Sequence, residues 1–257
     1  MDVLITAGGI PQPGEHLYEQ ALGKPKALLD INGKPMIQWV LDAINGSDKI
    51  DDIFIVGLQP VEGLVSRKPI NYINDQGGAL DNVIGGTQAL VNKKPNTEHF
   101  LIVSSDIPAL STKMVECVVA QASQQDLDVS YFTIRRNDME SRYPGSHRTF
   151  TRFKDVQLCA ADIFVVRASK VLNPSARWRD LLAARKSPLK QASIIGLDVL
   201  LLMLLRQITL ENAVKIIVKR LDLTGRVYFT PYAEMGMDVD KAFQLEIIRQ
   251  DLSRGRK

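Results

Sequence analysis

Residues 3–9 read VLITAGG, a short apolar run that ends in three small residues. Such a run, bounded by glycines, is typical of a buried strand that enters a loop. Further on, Asn32-Gly33 lies between two apolar stretches and predicts a tight turn. Apolar residues then recur at helical spacing over 36–44. The stretch therefore predicts a strand, a loop, a turn and a helix in that order.

The same alternation continues along the chain. Strands are predicted at 53–57, 100–104 and 129–134, and helices at 79–91 and 114–122. This order favours an α/β fold, a three-layer α/β/α sandwich with a mostly parallel central sheet. In such sheets ligands bind at the carboxyl ends of the strands, where Ala7-Gly8-Gly9 and Ser104-Ser105-Asp106 follow two of the predicted strands.

The second half is less regular. Further strands are predicted at 149–153, 163–166 and 227–229, helices within 175–220, and a closing amphipathic helix at 241–252. The segment 135–154 carries six Lys or Arg against two acids and has a loop-like tip at 143–146. With no internal repeat or clear linker, we expect one domain over 1–257.

Composition limits the classes of function. The 257 residues are 45% hydrophobic and 24% charged with a net charge of +3, which suits a globular protein and gives little support to nucleic-acid binding. Two cysteines exclude a disulfide framework and argue against a cysteine zinc site. The N-terminus does not resemble a signal peptide, so we expect a cytoplasmic protein.

The most apolar segment is 194–205, IIGLDVLLLMLL. Twelve residues interrupted by an aspartate are too few to span a bilayer. We expect a buried helix or a contact between copies of the chain rather than a membrane contact.

The glycine-rich loop and the lysine that follows it suit a phosphate. Glycines after a strand let the backbone approach a phosphate, and Lys26 can place a positive charge beside them. The spacing matches neither the dinucleotide pattern nor the P-loop. On these residues alone, a plain tight turn and a surface lysine stay open.

The segments AGG at 7–9 and KPKALLDINGKPMIQWVLDAI at 24–44 resemble the signature of the MobA-like NTP transferases. This branch of the nucleotide-diphospho-sugar transferase fold includes sugar-1-phosphate uridylyltransferases and cytidylyltransferases of isoprenoid synthesis. The resemblance is strong over 2–106 and returns at 236–246. It implies a GT-A-like fold and nucleotidyl transfer.

The resemblance implies that Lys26 contacts the nucleotide phosphates, with Ala7, Gly8, Gly9 and Lys24 beside it. Family members usually carry an arginine shortly after the glycines. Here that stretch reads IPQP at 10–13 and has no basic residue before Lys24, which would have to replace it.

Three aspartates are the predicted metal ligands. Ser104-Ser105-Asp106-Ile107-Pro108 resembles the family's metal-binding element, and Gly236-Met237-Asp238-Val239-Asp240 resembles the element that completes the site. Carboxylates suit the Mg²⁺ (or Mn²⁺) that a triphosphate needs. A turn or helix-capping role for each aspartate stays open. We expect Asp106 and Asp240 as ligands, with Asp238 in support.

The remaining predicted residues contact the base of the nucleotide and the acceptor. Gly77, Gly78 and Asn82 match the segment by which the family reads the base, although a Gly-Gly turn before a helix would look the same. Arg142, Arg148 and Arg152 are predicted acceptor contacts, because guanidinium groups suit phosphates. The resemblance adds Asp162, at the start of a strand where the family often places acceptor contacts. A solvated surface charge is the alternative for each arginine.

The resemblance thus implies a nucleotidyltransferase that joins a nucleoside triphosphate to a phosphorylated small-molecule acceptor and releases pyrophosphate, with Lys26, Asp106 and Asp240 as the catalytic residues. Its nucleotide half would span 1–134, an acceptor and lid half 135–235, and the metal segment with its helix 236–257. A metal-dependent glycosyltransferase and a non-catalytic nucleotide-binding protein are the alternatives. A homo-oligomer through 194–205 is a further expectation, and the sequence does not indicate the base.

Overall fold

The computed structural model describes residues 1–184, 194 and 196–255. Its strands are β1 Asp2–Thr6, β2 Asp30–Ile31, β3 Lys34–Pro35, β4 Ile53–Val56, β5 Ile70–Ile73, β6 His99–Ser104, β7 Val129–Arg135, β8 Thr151–Arg152, β9 Gln157–Arg167 and β10 Gly225–Thr230. Its helices are α1 Tyr18–Ala21, α2 Met36–Asn45, α3 Ala79–Lys93, α4 Thr112–Ala122, α5 Arg136–Arg142, α6 Ala168–Leu172, α7 Ala176–Ala183, α8 Leu197–Leu204, α9 Leu210–Leu221 and α10 Ala242–Ser253. Short 3₁₀ helices lie at Lys26–Leu28 and Ala233–Gly236.

The central sheet has the strand order β10-β7-β9-β6-β1-β4-β5, with β8 paired to β9. The pairs around β1 and β4 are parallel, as is β10 with β7, whereas β9 runs antiparallel to both of its long neighbours. The predicted mostly parallel sheet is therefore confirmed, with β9 as the antiparallel exception.

The layers follow from the alternation of side chains along each strand. In β1, Val3 and Ile5 join a core cluster that includes Ile37 and Val118 of α2 and α4. Leu4 points to the opposite face and joins a second cluster with Leu90 of α3. Because both faces of the strand are covered, the fold is the predicted three-layer α/β/α sandwich.

The predicted turn at Asn32-Gly33 joins β2 to β3. Both residues have positive φ, 55° for Asn32 and 79° for Gly33. This is the geometry of a two-residue hairpin turn, which asparagine and glycine adopt more readily than other residues.

Several elements differ from the sequence predictions. β5 and α5 were not predicted, and β9 starts at Gln157, six residues before the predicted strand. The predicted strand at 149–153 shrinks to the two residues of β8. Parts of the predicted helical region, 185–193 and residue 195, lie outside the described residues.

For the apolar segment 194–205 we expected a buried helix or a contact between copies of the chain, and in its described part the buried helix is wrong. In the described part, α8 buries Val199 but leaves Leu197, Leu201 and Leu204 exposed. Within the described residues, no helix combines the length and apolar character that a bilayer span requires.

Candidate active site

The site begins where β1 and β6 end side by side. The two strands are parallel, and Thr6 pairs with Ser104 at their carboxyl ends. The glycine loop follows Thr6 and the Ser105-Asp106 segment follows Ser104, so both loops emerge at the same edge of the sheet. This is the position at which α/β sheets bind ligands.

Lys26 connects the glycine loop with two carboxylates. Its backbone N–H donates to the carbonyl of Gly9 at 3.0 Å, where the chain enters a short 3₁₀ helix. Its Nζ lies 2.7 Å from Oδ2 of Asp106 and 2.5 Å from Oδ1 of Asp240. The three predicted catalytic residues therefore meet at one point.

Backbone and side-chain bonds fix this meeting point. The N–H of Val239 donates to the carbonyl of Asp106 at 2.9 Å, which joins the two aspartate-bearing segments. Ser104 Oγ donates to Oδ1 of Asp106 at 2.5 Å. Gln244 accepts a bond from the Asp240 N–H at 3.0 Å, so the first turn of α10 holds that segment.

The charge of Lys26 is stabilised where it lies. Burial disfavours the charged ammonium, but the carboxylates of Asp106 and Asp240 outweigh it and raise the pKa of Lys26. The residue is therefore a fixed cation at the edge of the sheet.

Arg148 forms a second ionic group beside the first. Its guanidinium bonds Asp238 and lies 3.6 Å from Asp162. The side chain is 14% exposed, and its Nε is buried without a hydrogen-bond partner, as is Oδ2 of Asp162. The arginine thus bridges the segment after β10 and the strand β9.

Asp162 is the residue whose pKa is most informative. Burial and the negative charges of Asp106 and Asp240 raise the pKa of Asp162 to about 7, although the positive charges of Arg148 and Lys26 oppose the shift. A carboxyl group that is half-protonated near neutral pH, beside a cluster of charges, is a frequent feature of functional sites.

A cavity of about 340 Å³ opens between the glycine loop and α3. Its lining includes the predicted metal ligand Asp106 and most of the residues predicted for phosphate and base, which are Gly8, Gly9, Lys26, Gly77, Gly78 and Asn82. A Cβ on Gly8 would lie 2.7 Å from Nδ2 of Asn82 and 3.2 Å from Oδ1 of Asp75. The loop therefore requires glycine at this position because the cavity wall packs directly against it.

Asn82 supports this wall through its side chain. Its Nδ2 donates to Oδ1 of Asp75 at 2.7 Å, and its Oδ1 accepts from the N–H of Gln76 at 2.6 Å. The amide therefore holds the 75–78 loop in place.

Some predicted residues lie apart from the cavity. The N–H of Ala7 donates to the carbonyl of Val56 at 2.9 Å, so it serves the sheet. Lys24 is exposed and does not line the cavity. Arg142 donates to Glu234 at 2.8 Å and to Asp251 at 2.7 Å, so its guanidinium is occupied by these two carboxylates.

A cavity of about 660 Å³ adjoins Arg148 on the lid side. Basic and neutral side chains dominate its lining, including Arg136, His147, Arg148 and Arg152. Arg136 already bonds Glu140 at 2.8 Å. Arg152 is exposed, and its guanidinium has no ion-pair partner among the described residues.

Asp106 and Asp240 suit a hard divalent cation because they offer oxygen ligands that already share one cation, the Lys26 ammonium. Asp238 is paired with Arg148 instead. Across the described ranges, the one group of three acidic or histidine ligands within 4.8 Å is Glu98, His99 and Asp126, at the opposite end of β6.

Two residues near the site had no predicted role. Ser104 belongs to the predicted metal-binding motif. Its position two residues before Asp106 is the signal that could have identified it as a hydrogen-bond donor to that carboxylate. Asp75 was part of the base segment, but its bond to Asn82 depends on a tertiary contact that no spacing shows.

The sequence profile described as the MobA-like NTP transferase domain matches residues 4–190. The match contains Lys26 and Asp106 and ends before Asp238 and Asp240.

The fold is similar to several solved structures. A structure described as a hypothetical transferase from Thermus thermophilus is 29% identical, with a TM-score of 0.80 over 95% of this chain and 98% of that one. CMP:2-keto-3-deoxy-manno-octonic acid synthetase complexed with CTP is 16% identical, with a TM-score of 0.61 over 100% of this chain and 99% of that one. 4-Diphosphocytidyl-2C-methyl-D-erythritol synthase from Anaerococcus prevotii is 12% identical, with a TM-score of 0.61 over 98% of this chain and 96% of that one. At such low identity the last two matches establish the fold alone.

Proposed function

This chain belongs to the MobA-like NTP transferase domain family, and we propose on that basis that it transfers a nucleoside monophosphate from a nucleoside triphosphate to a phosphorylated small-molecule acceptor. An acceptor oxygen attacks the α-phosphorus, the bond to the bridging oxygen breaks, and pyrophosphate leaves. The observation that carries the proposal is the contact of Lys26 with both Asp106 and Asp240 beside the glycine-lined cavity.

The triphosphate would lie along the glycine loop. Gly8 and Gly9 let the backbone approach the phosphates, and Lys26 places a fixed positive charge beside them. Negative charge on the phosphoryl oxygens is stabilised most when donors are positioned before the reaction. The hydrogen bond from the Lys26 N–H to the carbonyl of Gly9 fixes the backbone of the lysine beside the loop.

We propose that Asp106 and Asp240 hold Mg²⁺, or Mn²⁺, when the nucleotide binds. The metal would supply charge neutralisation at the phosphate oxygens. Lys26 would then turn from the carboxylates toward the phosphates, since it bonds the same oxygens that the cation needs. Asp238 would keep Arg148 in place instead of binding the metal.

The acceptor would bind on the β9 side of the cluster. Asp162 offers a carboxyl oxygen that has no hydrogen-bond partner, and the neighbouring cavity of about 660 Å³ has a surplus of cations. Arginine suits phosphate oxygens, and Arg152 has its guanidinium available. We therefore assign the acceptor phosphate to Arg152, with Asp162 toward its polar groups and Arg148 holding Asp162.

The structure offers less support to the two alternative functions. A glycosyltransferase would bind an intact nucleotide-sugar and would give Lys26 no charge to neutralise at an α-phosphorus under attack. A glycosyltransferase of a related fold would also hold its metal with a pair of aspartates. Here the residue two places before Asp106 is Ser104, whose hydroxyl donates a hydrogen bond to Asp106. A non-catalytic nucleotide-binding protein would have no use for an acceptor cavity beside the cluster.

Pyrophosphate release tests the proposal. CTP is tried first because two structural neighbours are cytidylyl enzymes by their titles, followed by UTP, GTP and ATP. Each is incubated with Mg²⁺ and a panel of sugar and polyol phosphates. We expect release that requires one nucleotide and one acceptor and is lost in Asp106→Asn. No release with any pair, or equal release by the variant, would refute the assignment.

A further inference from the structure

Helix α8 presents a stripe of leucines to solvent. Leu197 is 64% exposed, Leu201 56%, Leu204 70% and the following Leu205 55%. The spacing of these residues places them on one face of a helix. Large apolar side chains seldom cluster on a free surface without a binding role.

The stripe is not needed to attach the helix. On its other face, Val199 is fully buried in a small cluster with Ile208 and Ala213. Asp198 also bonds Arg220 of α9 at 2.7 Å. Because these contacts dock α8, the leucines are free for another surface.

The stretch of sequence that contains this stripe is basic. The segment 176–226 holds ten of the chain's 32 Lys and Arg residues and four of its 29 acids, which gives it a net charge of +6. The rest of the chain has 22 cations against 25 acids. The net positive charge of the whole sequence therefore comes from this segment, whose described cations lie mainly on or beside α7, α8 and α9, the three helices that we call the helical lobe.

The cations of this lobe include several that no acid neutralises. Four are exposed and form no ion pair with any residue the structure describes: Arg177, Arg179, Arg206 and Lys219. Arg206 directly follows the leucine stripe, and Ser175, at the start of α7, bonds the carbonyl of Leu221 at the end of α9. The three helices thus form one surface.

We propose that this helical lobe docks on an anionic lipid bilayer surface, with the leucines in the interfacial region and the cations on the headgroups. A leucine face bordered by basic residues is the combination that binds anionic membranes peripherally. A second copy fits less well, because a two-fold contact would bring the unpaired cations of the two lobes together. Nucleic-acid surfaces offer no apolar partner for the leucines.

Vesicle flotation of the full chain tests the proposal. The vesicles are phosphatidylcholine alone or phosphatidylcholine with about 30 mol% phosphatidylglycerol, a composition that gives an anionic surface. We expect flotation with the anionic vesicles only, weakened at about 0.5 M salt because the charges are then screened. Leu201→Asn with Leu204→Asn should lower the partition coefficient by at least about tenfold.

Matched controls use equally exposed residues elsewhere. Leu22 is 73% exposed outside the lobe, so Leu22→Asn should float like the wild type. Arg206→Gln with Lys219→Gln should weaken binding to anionic vesicles about fivefold or more, whereas Arg254→Gln should not. Melting curves establish that each variant is folded.

Three results would overturn the proposal. They are absence of flotation with both vesicles, equal flotation with both, and a wild-type dimer in light scattering that the leucine substitutions dissociate while no vesicle binds. Because the assay needs neither nucleotide nor acceptor, its outcome is independent of the transferase test.

Discussion

Lys26 is the residue on which the proposed chemistry depends most, because its ammonium lies between Asp106 and Asp240 and lines the cavity. Lys26→Ala should lower kcat by about 10²- to 10³-fold, as removal of a positioned donor does. Steady-state pyrophosphate release measures the effect.

Lys24 provides the matched control because it is exposed and outside the cavity lining. Lys24→Ala should change kcat less than about threefold, in line with the small effects of exposed lysines. If both variants lose activity equally, Lys24 binds the triphosphate, and our assignment of Lys24 to a position outside the nucleotide site is wrong.

Asp162 makes stability depend on pH in a defined direction. Its pKa is raised to about 7 in the folded chain from an ordinary value of 3.8, so between these values the folded state holds a proton that the unfolded state has lost. Asp162 therefore stabilises the fold fully below pH about 4, and this contribution is lost as pH rises to about 7. Denaturant unfolding of wild type and Asp162→Asn in metal-free buffer measures the difference.

The sign of the change with pH in this difference in unfolding free energy decides whether the pKa of Asp162 is raised. Relative to the variant, the wild type should lose unfolding free energy between pH 4 and 7. A difference that does not change between pH 4 and 7 would contradict the raised pKa of Asp162.

At the scale of elements, periodicity located the regular parts well. β1 and α2 were predicted within about one residue, because β1 is a short continuous apolar run bounded by glycines and α2 buries apolar residues at helical spacing. β5 was missed because its four residues are half-buried at the edge of the sheet. The exposure of α8 was also missed, since an apolar run looks the same whether it is buried or exposed.

The glycine loop can be tested as an element. Gly8→Ala places a Cβ 2.7 Å from Nδ2 of Asn82, and Asn82 cannot move without losing its bond to Asp75. We expect nucleotide affinity to fall at least about tenfold, by analogy with the cost of disturbing a buried hydrogen bond. Calorimetric titration measures the affinity, and unchanged binding would place the nucleotide elsewhere.

At the scale of the molecule, the sequence predicted three residues that the structure brings together, but not the ion pairs around them. Lys26, Asp106 and Asp240 were found because each lies in a recognisable motif. The pairing of Asp238 with Arg148, and of Arg142 with Glu234, joins distant parts of the chain. Such pairs depend on tertiary packing, which neither spacing nor periodicity encodes.

The core cluster that contains Leu4 and Leu90 predicts a large cost for one central truncation. Phe100 is fully buried in β6, so Phe100→Ala should lower the free energy of unfolding by about 3–5 kcal/mol. Phe243, which is 38% exposed on α10, is the control, and its truncation should cost less than about 1.5 kcal/mol. Equal costs in urea unfolding would contradict this description of the core.

The most direct test of the central claim is calorimetric titration of CTP, UTP, GTP and ATP, with Mg²⁺, into wild type, Lys26→Ala and Asp106→Asn. We predict that one triphosphate binds the wild type and that both variants bind it at least about tenfold more weakly, since each loses a phosphate or metal contact. Melting curves without nucleotide establish that the variants fold. Equal affinity in all three proteins, or no triphosphate binding to the wild type, would contradict the assignment of Lys26 and Asp106 to the nucleotide site.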